Sequence, residues 1–382
     1  FKTKLNRVVA GAAIFGSAMA ISLTSVQALE TTAREAYLMD YDTGTVLLDK
    51  NGDALTEPAS MTKMMTVHML FDRIKSGSVS LDDTFHVSEK AWRKGGSKMF
   101  VEVNSDVSVN DLLHGIIVQS GNDAAIVVAE GLAGTEEAFA EEMTAEARKI
   151  GMTKSVFKNA TGWPDESHMV TVHDLAILAR DTIRNFPELY KLYAVKEFTY
   201  NGIRQPNRNP LLGTSAGVDG MKTGHTETAG YGLTATAERD GRRLILVVNG
   251  LGSVRERRTE SQKLLDWGFR EFDNYDLFDS GEVVSSANVW LGSEAKVDLV
   301  TDQDILLTLP RTNRDDMKVS VVYEGPIPAP IAAGQQVATL KVELPGGEPH
   351  EFPLYAATEV DRLGFIGRIG AAIKYLLWGA NG

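Results

Sequence analysis

The sequence predicts an α+β domain followed by a small all-β sandwich and a C-terminal amphipathic helix. Three observations carry this expectation. An apolar helical run, Met64 to Ile74, follows Pro58-Ala59-Ser60-Met61-Thr62-Lys63. Strand pairs with turn residues between them flank it, over residues 36–50 before and 230–249 after. Beyond about Asp276 the pattern changes to short alternating runs punctuated by turns. A chain of 382 residues is long enough for two domains with cores of their own. With 39 basic and 51 acidic residues the net charge is −12, which disfavours nucleic acid as a partner. The absence of cysteine excludes thiol catalysis, disulfides and zinc-thiolate sites. The seven histidines show no metal spacing, so neither metal nor cofactor is expected.

In chain order, the first segment reads as an address. Lys2, Lys4 and Arg7 form a basic region, Val8 to Leu23 is apolar, and Val26-Gln27-Ala28 fits a cleavage site. An exported chain beginning near Leu29 is expected, with an uncleaved membrane anchor as the alternative. Ala36 to Lys50 alternates around Asp42-Thr43-Gly44-Thr45, a β-hairpin signal, and 51–58 reads as loop. Then Ser60 and Lys63 stand three residues apart at a helix start, so the amine falls beside the hydroxyl. A serine hydroxyl is a weak nucleophile, and a lysine kept neutral by burial or nearby cations can take its proton. Ser155 with Lys158 and Ser293 with Lys296 share the spacing, but the first runs into a turn and the second lies among strands.

The first helix stops at Lys75-Ser76-Gly77, and residues 80–107 mix short extended pieces with a Gly95-Gly96 turn. A second helix starts at Ser108, with Asp111 completing an approximate capping box, and runs to Val118. Ser120-Gly121-Asn122 breaks it from the helical run Ala124 to Leu132, which lets one short loop turn a hydroxyl and an amide inward; Ser286-Ala287-Asn288 has the same form. Glu136 to Ile150 is an acidic amphipathic helix, 159–168 is loop, and Thr171 with Asp174 caps the next helix. After the polar Asn207-Arg208-Asn209 comes Lys222-Thr223-Gly224 at a strand edge. There a cation, a hydroxyl and an open backbone can meet a substrate. Strands at 230–237 and 243–249 flank a hairpin signal at 238–241, and Arg255 to Phe272 reads as an amphipathic helix.

The ordered set Ser60-x-x-Lys63, Ser120-x-Asn122 and Lys222-Thr223-Gly224 resembles that of the penicillin-binding proteins and serine β-lactamases. His225 after the glycine, Asn207-Arg208-Asn209 and Trp267-Gly268-Phe269 make it similar to the low-molecular-mass D-alanyl-D-alanine carboxypeptidases. The resemblance implies a β-lactamase-like domain, a helical region and a five-stranded antiparallel sheet closing on one cleft. It implies Ser60 as nucleophile toward the penultimate D-alanine of peptidoglycan stem peptides, Lys63 as general base and Ser120 as proton shuttle. Lys222 would help keep Lys63 neutral, and Asn122 would orient Lys63 and the substrate amide. The N–H groups of Ser60 and His225 would form the oxyanion hole, while Thr223 with Arg257 or Arg208 would hold the substrate carboxylate. β-Lactams are implied as inhibitors. Met169 stands where class A β-lactamases carry an asparagine after their deacylating glutamate, so slow hydrolysis of a penicillin adduct is expected, with Glu166 as the alternative base. An endopeptidase, a β-lactamase and a non-catalytic wall-binding protein remain as other readings.

Six alternating runs follow: 283–291, 296–300, 305–309, 319–323, 336–344 and 351–355, with turns at Gly325-Pro326 and Pro345-Gly346-Gly347. The tail from Glu359 to Trp378 puts Leu363, Ile366, Ile369, Ile373, Leu376 and Leu377 on one face. Gly364, Gly367 and Gly370 break it too often for a span, so it should lie on the surface of the inner membrane, or else pack on its own domain. The expected organisation is a signal peptide (1–28), a catalytic domain (29–275), a β-sandwich (276–357) and an anchoring helix (358–382), in a periplasmic protein.

Overall fold

The structure is a computed structural model in which residues 29–344 and 348–365, with 367 and 369, are described. The expected signal peptide, the turn at 345–347 and most of the expected tail helix lie outside the described residues. The chain forms two compact units that meet in sequence at Arg270 and Glu271.

The first unit opens with strands β1 (Glu35–Asp40) and β2 (Val46–Lys50), a 3-10 turn (Ala59–Thr62) and helix α1 (Lys63–Lys75). β3 (Thr84–His86), α2 (Glu89–Arg93), β4 (Asp106–Ser108), α3 (Val109–Ile117), α4 (Asn122–Ala133) and α5 (Glu136–Lys149) follow. Then come α6 (Val172–Asn185), α7 (Pro187–Tyr190), β5 (Glu197–Tyr200), β6 (Ile203–Pro206), β7 (Val218–Thr226), β8 (Gly230–Arg239), β9 (Arg242–Leu251) and α8 (Val254–Glu271). Five strands form one antiparallel sheet in the order β2-β1-β9-β8-β7.

Alternation sorts the sheet residues to two faces. Tyr37, Met39, Ile245 and Val247 join the core built by α1 and α3 to α6, whereas Leu38 and Leu244 meet α8 at Gly268. A Cβ at Gly268 would stand 2.8 Å from both leucines, so this helix approaches the sheet only because the residue has no side chain. The central strands are buried on both faces, which is why β8 and β9 read as near-continuous apolar and threonine runs.

Four elements, α2, β5, β6 and β10 (Phe272–Phe278), went unread. α2 is five residues long, too short for helical periodicity, and is set by Ser88, whose hydroxyl accepts from Ala91 N at 3.0 Å. β5 and β6 turn through Asn201-Gly202, both at positive φ (46° and 73°), a hairpin dipeptide the polar surroundings obscured. The helix expected to run through Phe272 ends at Glu271, and Phe272 instead opens β10 (Phe272–Phe278).

The second unit adds β11 (Val283–Trp290), β12 (Lys296–Val300), β13 (Ile305–Pro310), β14 (Lys318–Val322), β15 (Ile327–Pro328), β16 (Gln336–Glu343) and β17 (His350–Ala356). One sheet runs β14-β16-β17-β12-β11-β15, and β10 pairs with β13 in another. Leu299, Leu307, Leu340 and Leu354 from both sheets share one core, the layering of a sandwich.

Two buried polar groups generate predictions. Asp40, fully buried, accepts from Arg242 Nε at 2.9 Å and from the N–H groups of Asp42 and Thr43, tying the β1–β2 turn to β9. Asp40→Ala leaves Arg242 without this carboxylate and should cost about 3 kcal/mol in urea unfolding; a loss under about 1 kcal/mol would contradict this role. His168 Nε2 lies 3.0 Å from Thr62 Oγ1, while its Nδ1 accepts from Lys158 N at 3.4 Å. Burial holds its pKa down at about 4 against the ordinary 6.5, Asp165 opposing and Lys158 and Lys63 reinforcing the shift. The unfolded chain therefore takes this proton first, and stability is lost as pH falls from 6.5 towards 4. Between pH 7 and 4.5 the wild type should lose about 2 kcal/mol more than His168→Gln, which cannot titrate; parallel pH curves for the two proteins would refute the assignment.

Candidate active site

Ser60 sits inside the 3-10 turn, one residue after Ala59 at φ 46° and three before the start of α1. Lys63 is wholly buried, and its Nζ lies 3.0 Å from Ser60 Oγ, 2.7 Å from Asn122 Oδ1 and 2.6 Å from the Thr161 carbonyl. With the amine neutral, the latter two acceptors take its two N–H bonds and the lone pair is left for the serine proton. The amine is brought down to about 7, first by burial and then by the Arg208 charge, with Asp123 opposing and Lys94 adding to the fall. Lys63 and Lys222 repel one another as well, so Lys222 bears on the amine alongside Arg208.

The Thr161 carbonyl is delivered by a loop that orders itself. Asn159 Oδ1 accepts from the N–H groups of Thr161, Gly162 and Trp163 at 3.2, 2.8 and 3.0 Å. Gly162 takes φ 78°, and a Cβ there would fall 1.7 Å from Ala59 O, so the loop lies directly on the serine turn. Opposite, Ser120 adopts φ 60° between α3 and α4, a conformation rare for serine, which breaks the helical run at the cleft. Asn122 Nδ2 donates to Gly95 O at 2.8 Å, which fixes the amide with its oxygen toward Lys63. Asp123, next in sequence, accepts from the N–H groups of Met99 and Phe100 at 2.9 and 2.8 Å and pins the facing segment.

β7 supplies the third wall. A Cβ at Gly224 would stand 2.8 Å from Pro58 O, so glycine alone lets the strand lie against the serine turn. Lys222 is buried, with its Nζ donating to Thr223 O at 3.1 Å. Its pKa is pushed well below the lysine range by burial, then by the charges of Lys63, Arg208 and Arg257. Arg257 is 6% exposed, its Nε has no hydrogen-bond partner among the described residues, and burial lowers its pKa to about 10. His225 stacks on Tyr231 with centroids 3.9 Å apart, and Arg257 lies 5.6 Å from the same ring.

The structure brings Ser60, Ser120, Arg208, Thr223, Gly224, His225 and Arg257 to one cleft, with Lys63 and Asn122 behind Ser60. Ser97, Tyr231 and Val254 also line it and were not anticipated; a small hydroxyl, a strand aromatic and a helix-start valine carry no spacing signal. The competing Ser155 is buried and donates to Asp174 Oδ2 at 2.6 Å, a structural bond beside the Thr171 cap.

A cleft with a serine on a buried amine and a buried guanidinium that has no carboxylate partner among the described residues suits acyl transfer on an anionic substrate. Comparison with known proteins agrees. The model of the D-alanyl-D-alanine carboxypeptidase family matches residues 22–252, and that of the penicillin-binding protein 5 C-terminal domain matches 272–362. D-alanyl-D-alanine carboxypeptidase DacC of Escherichia coli is 37% identical over 97% of this chain and 95% of its own. The crystal structure of penicillin binding protein 5 from Haemophilus influenzae, at 36% identity, superposes with a TM-score of 0.80 over 88% of this chain and all (100%) of that one. Penicillin-binding protein D2 from Listeria monocytogenes in its ampicillin-bound form, at 30% identity, gives 0.58 over 63% of this chain and 98% of that one. The chain belongs to the D-alanyl-D-alanine carboxypeptidase family.

Proposed function

We propose that this protein removes the terminal D-alanine from peptidoglycan stem pentapeptides through an acyl-enzyme on Ser60. The observation that carries the reading is the 3.0 Å approach of Ser60 Oγ to a buried amine whose other two partners are both acceptors. Neutral Lys63 takes the serine proton as Oγ attacks the penultimate D-alanyl carbonyl. The N–H groups of Ser60 and His225 receive the oxyanion, and Ser120 relays the proton to the departing amine. D-Alanine leaves, water enters, and Lys63 accepts its proton as the ester is hydrolysed. The substrate's terminal carboxylate answers Arg257, whose charge has no carboxylate partner among the described residues, with Thr223 and Arg208 beside it.

β-Lactams acylate the same serine, and their tethered leaving group blocks the path of water. Glu166 is exposed to solvent, and the contacts of its loop with the serine turn and Lys63 run instead through His168 and Thr161. This supports long-lived acylation rather than β-lactamase turnover.

The basic and apolar start of the sequence supports export to the periplasm, and the amphipathic pattern of the tail supports attachment to the inner-membrane surface. Among the described residues no helix is long and apolar enough to cross a membrane.

Ser60→Ala should abolish both D-alanine release from a stem pentapeptide and labelling by fluorescent penicillin, at an unchanged unfolding midpoint. A folded Ser60→Ala protein that still forms a penicilloyl adduct would remove Ser60 from the mechanism. Deleting residues 359–382 should move the protein from membrane to soluble fraction with peptidase activity retained, and equal partition of both forms would reject the anchor.

A further inference from the structure

The segment after α2 runs beside the cleft from Lys94 to Val101, and Asn122 holds it from two atoms. Its Nδ2 donates to Gly95 O at 2.8 Å and its backbone N to Ser97 O at 2.7 Å. Gly96, between these contacts, takes φ 79°. A Cβ there would meet Asn122 Nδ2 at 2.8 Å and the Trp163 ring at 3.3 Å, so the indole is packed one backbone thickness from the amide that holds Lys63. The Trp163 backbone is fixed at both ends by Asn159, which accepts from its N–H and donates to its carbonyl at 2.9 Å, yet the side chain remains 45% exposed. A held backbone that carries an exposed indole is a platform rather than a core residue.

Lys94 completes it. Its Nζ lies 4.2 Å from the Trp163 ring centroid, and among the described residues no acidic group comes within ion-pairing distance. Glu136, the acid that acts on it from farther off, is engaged by Lys90 at 3.1 Å. The cleft also has a polarity. Arg257 and Thr223 take the carboxylate of the leaving residue on the β7 side, and Ser60 takes the carbonyl. The acyl chain therefore departs past Ser97 and Asn122, toward Trp163 and Lys94.

We propose that Trp163 and Lys94 form an acyl-side subsite that binds a free carboxylate on the stem peptide upstream of the scissile bond. The indole carries the peptide's apolar stems, and the ammonium pairs with the carboxylate. Two groups of a stem peptide offer this chemistry: the α-carboxylate of a γ-linked D-glutamyl residue, and the side-chain carboxylate of a diamino dicarboxylic acid at the following position. The proposal rests on the carboxypeptidase reading.

The test uses the full chain and the ratio of kcat/KM for a carboxylate-bearing pentapeptide to that for a blocked acyl-D-alanyl-D-alanine tripeptide with no acyl-side carboxylate. Any effect of Lys94 that acts through Lys63 falls on both substrates and cancels. Lys94→Gln should lower the ratio about fivefold and Trp163→Leu about threefold, the Lys94 effect shrinking at high salt. Pentapeptides amidated at one carboxylate or the other identify the source, since the Lys94→Gln loss disappears with the group that pairs. A ratio unchanged in Lys94→Gln, or a loss that persists when both carboxylates are amidated, would overturn the subsite. Release of D-alanine from none of these peptides by the wild type would instead overturn the carboxypeptidase reading itself.

Discussion

Everything around the serine depends on one constraint: the Lys63 amine must be buried, and a buried amine must have partners. Its three neighbours come from three parts of the chain, namely Ser60 on the turn before α1, Asn122 at the start of α4, and Thr161 on the loop before α6. The positive φ at Ala59, Ser120 and Gly162 and the bare backbone of Gly224 follow from packing those parts around one nitrogen. The local strain is held by the apolar packing of α1, α3 and α4, whose inward residues are fully buried. Asn159 and Asp123 serve the same end at one remove, each using one side-chain carboxyl or amide group to fix a run of backbone N–H donors.

The second consequence is electrostatic. Lys63, Lys222, Arg208 and Arg257 act on one another within a single cleft, and neither Lys222 nor Arg257 has a carboxylate at ion-pairing distance among the described residues. Such a site is costly until an anion enters, and the cost becomes selectivity for a substrate with a free carboxyl terminus. It also keeps the general base poised, since the same cations that attract the substrate drive protons off Lys63. Binding and base strength are therefore coupled, and substrate entry should raise the affinity of Lys63 for the proton it takes from Ser60.

Much of this was legible in the sequence because the signals are local. Six strands of the second unit, β11 to β14 with β16 and β17, fall within one or two residues of their alternating runs, and the capping residues Ser108 and Thr171 each accept from the N–H three residues on. Elements without a periodic signature were lost: the five-residue α2, and β10, whose first residue continued the apolar pattern of α8. At the site, the side chains with their own chemistry could be named from spacing. The Thr161 carbonyl could not, because a backbone acceptor has no residue type, nor could Tyr231, whose role is set by stacking on His225 across two strands.

The central claim is that Lys63 works as a neutral base. Single-turnover acylation by a penicillin, followed by stopped flow across pH 5 to 9, measures the proton that must be absent. The account predicts a rate rising with pH and half-maximal near 7, where the buried amine loses its proton. A rate that is flat across this range, or that rises only near the ordinary lysine value of about 10.4, would contradict it.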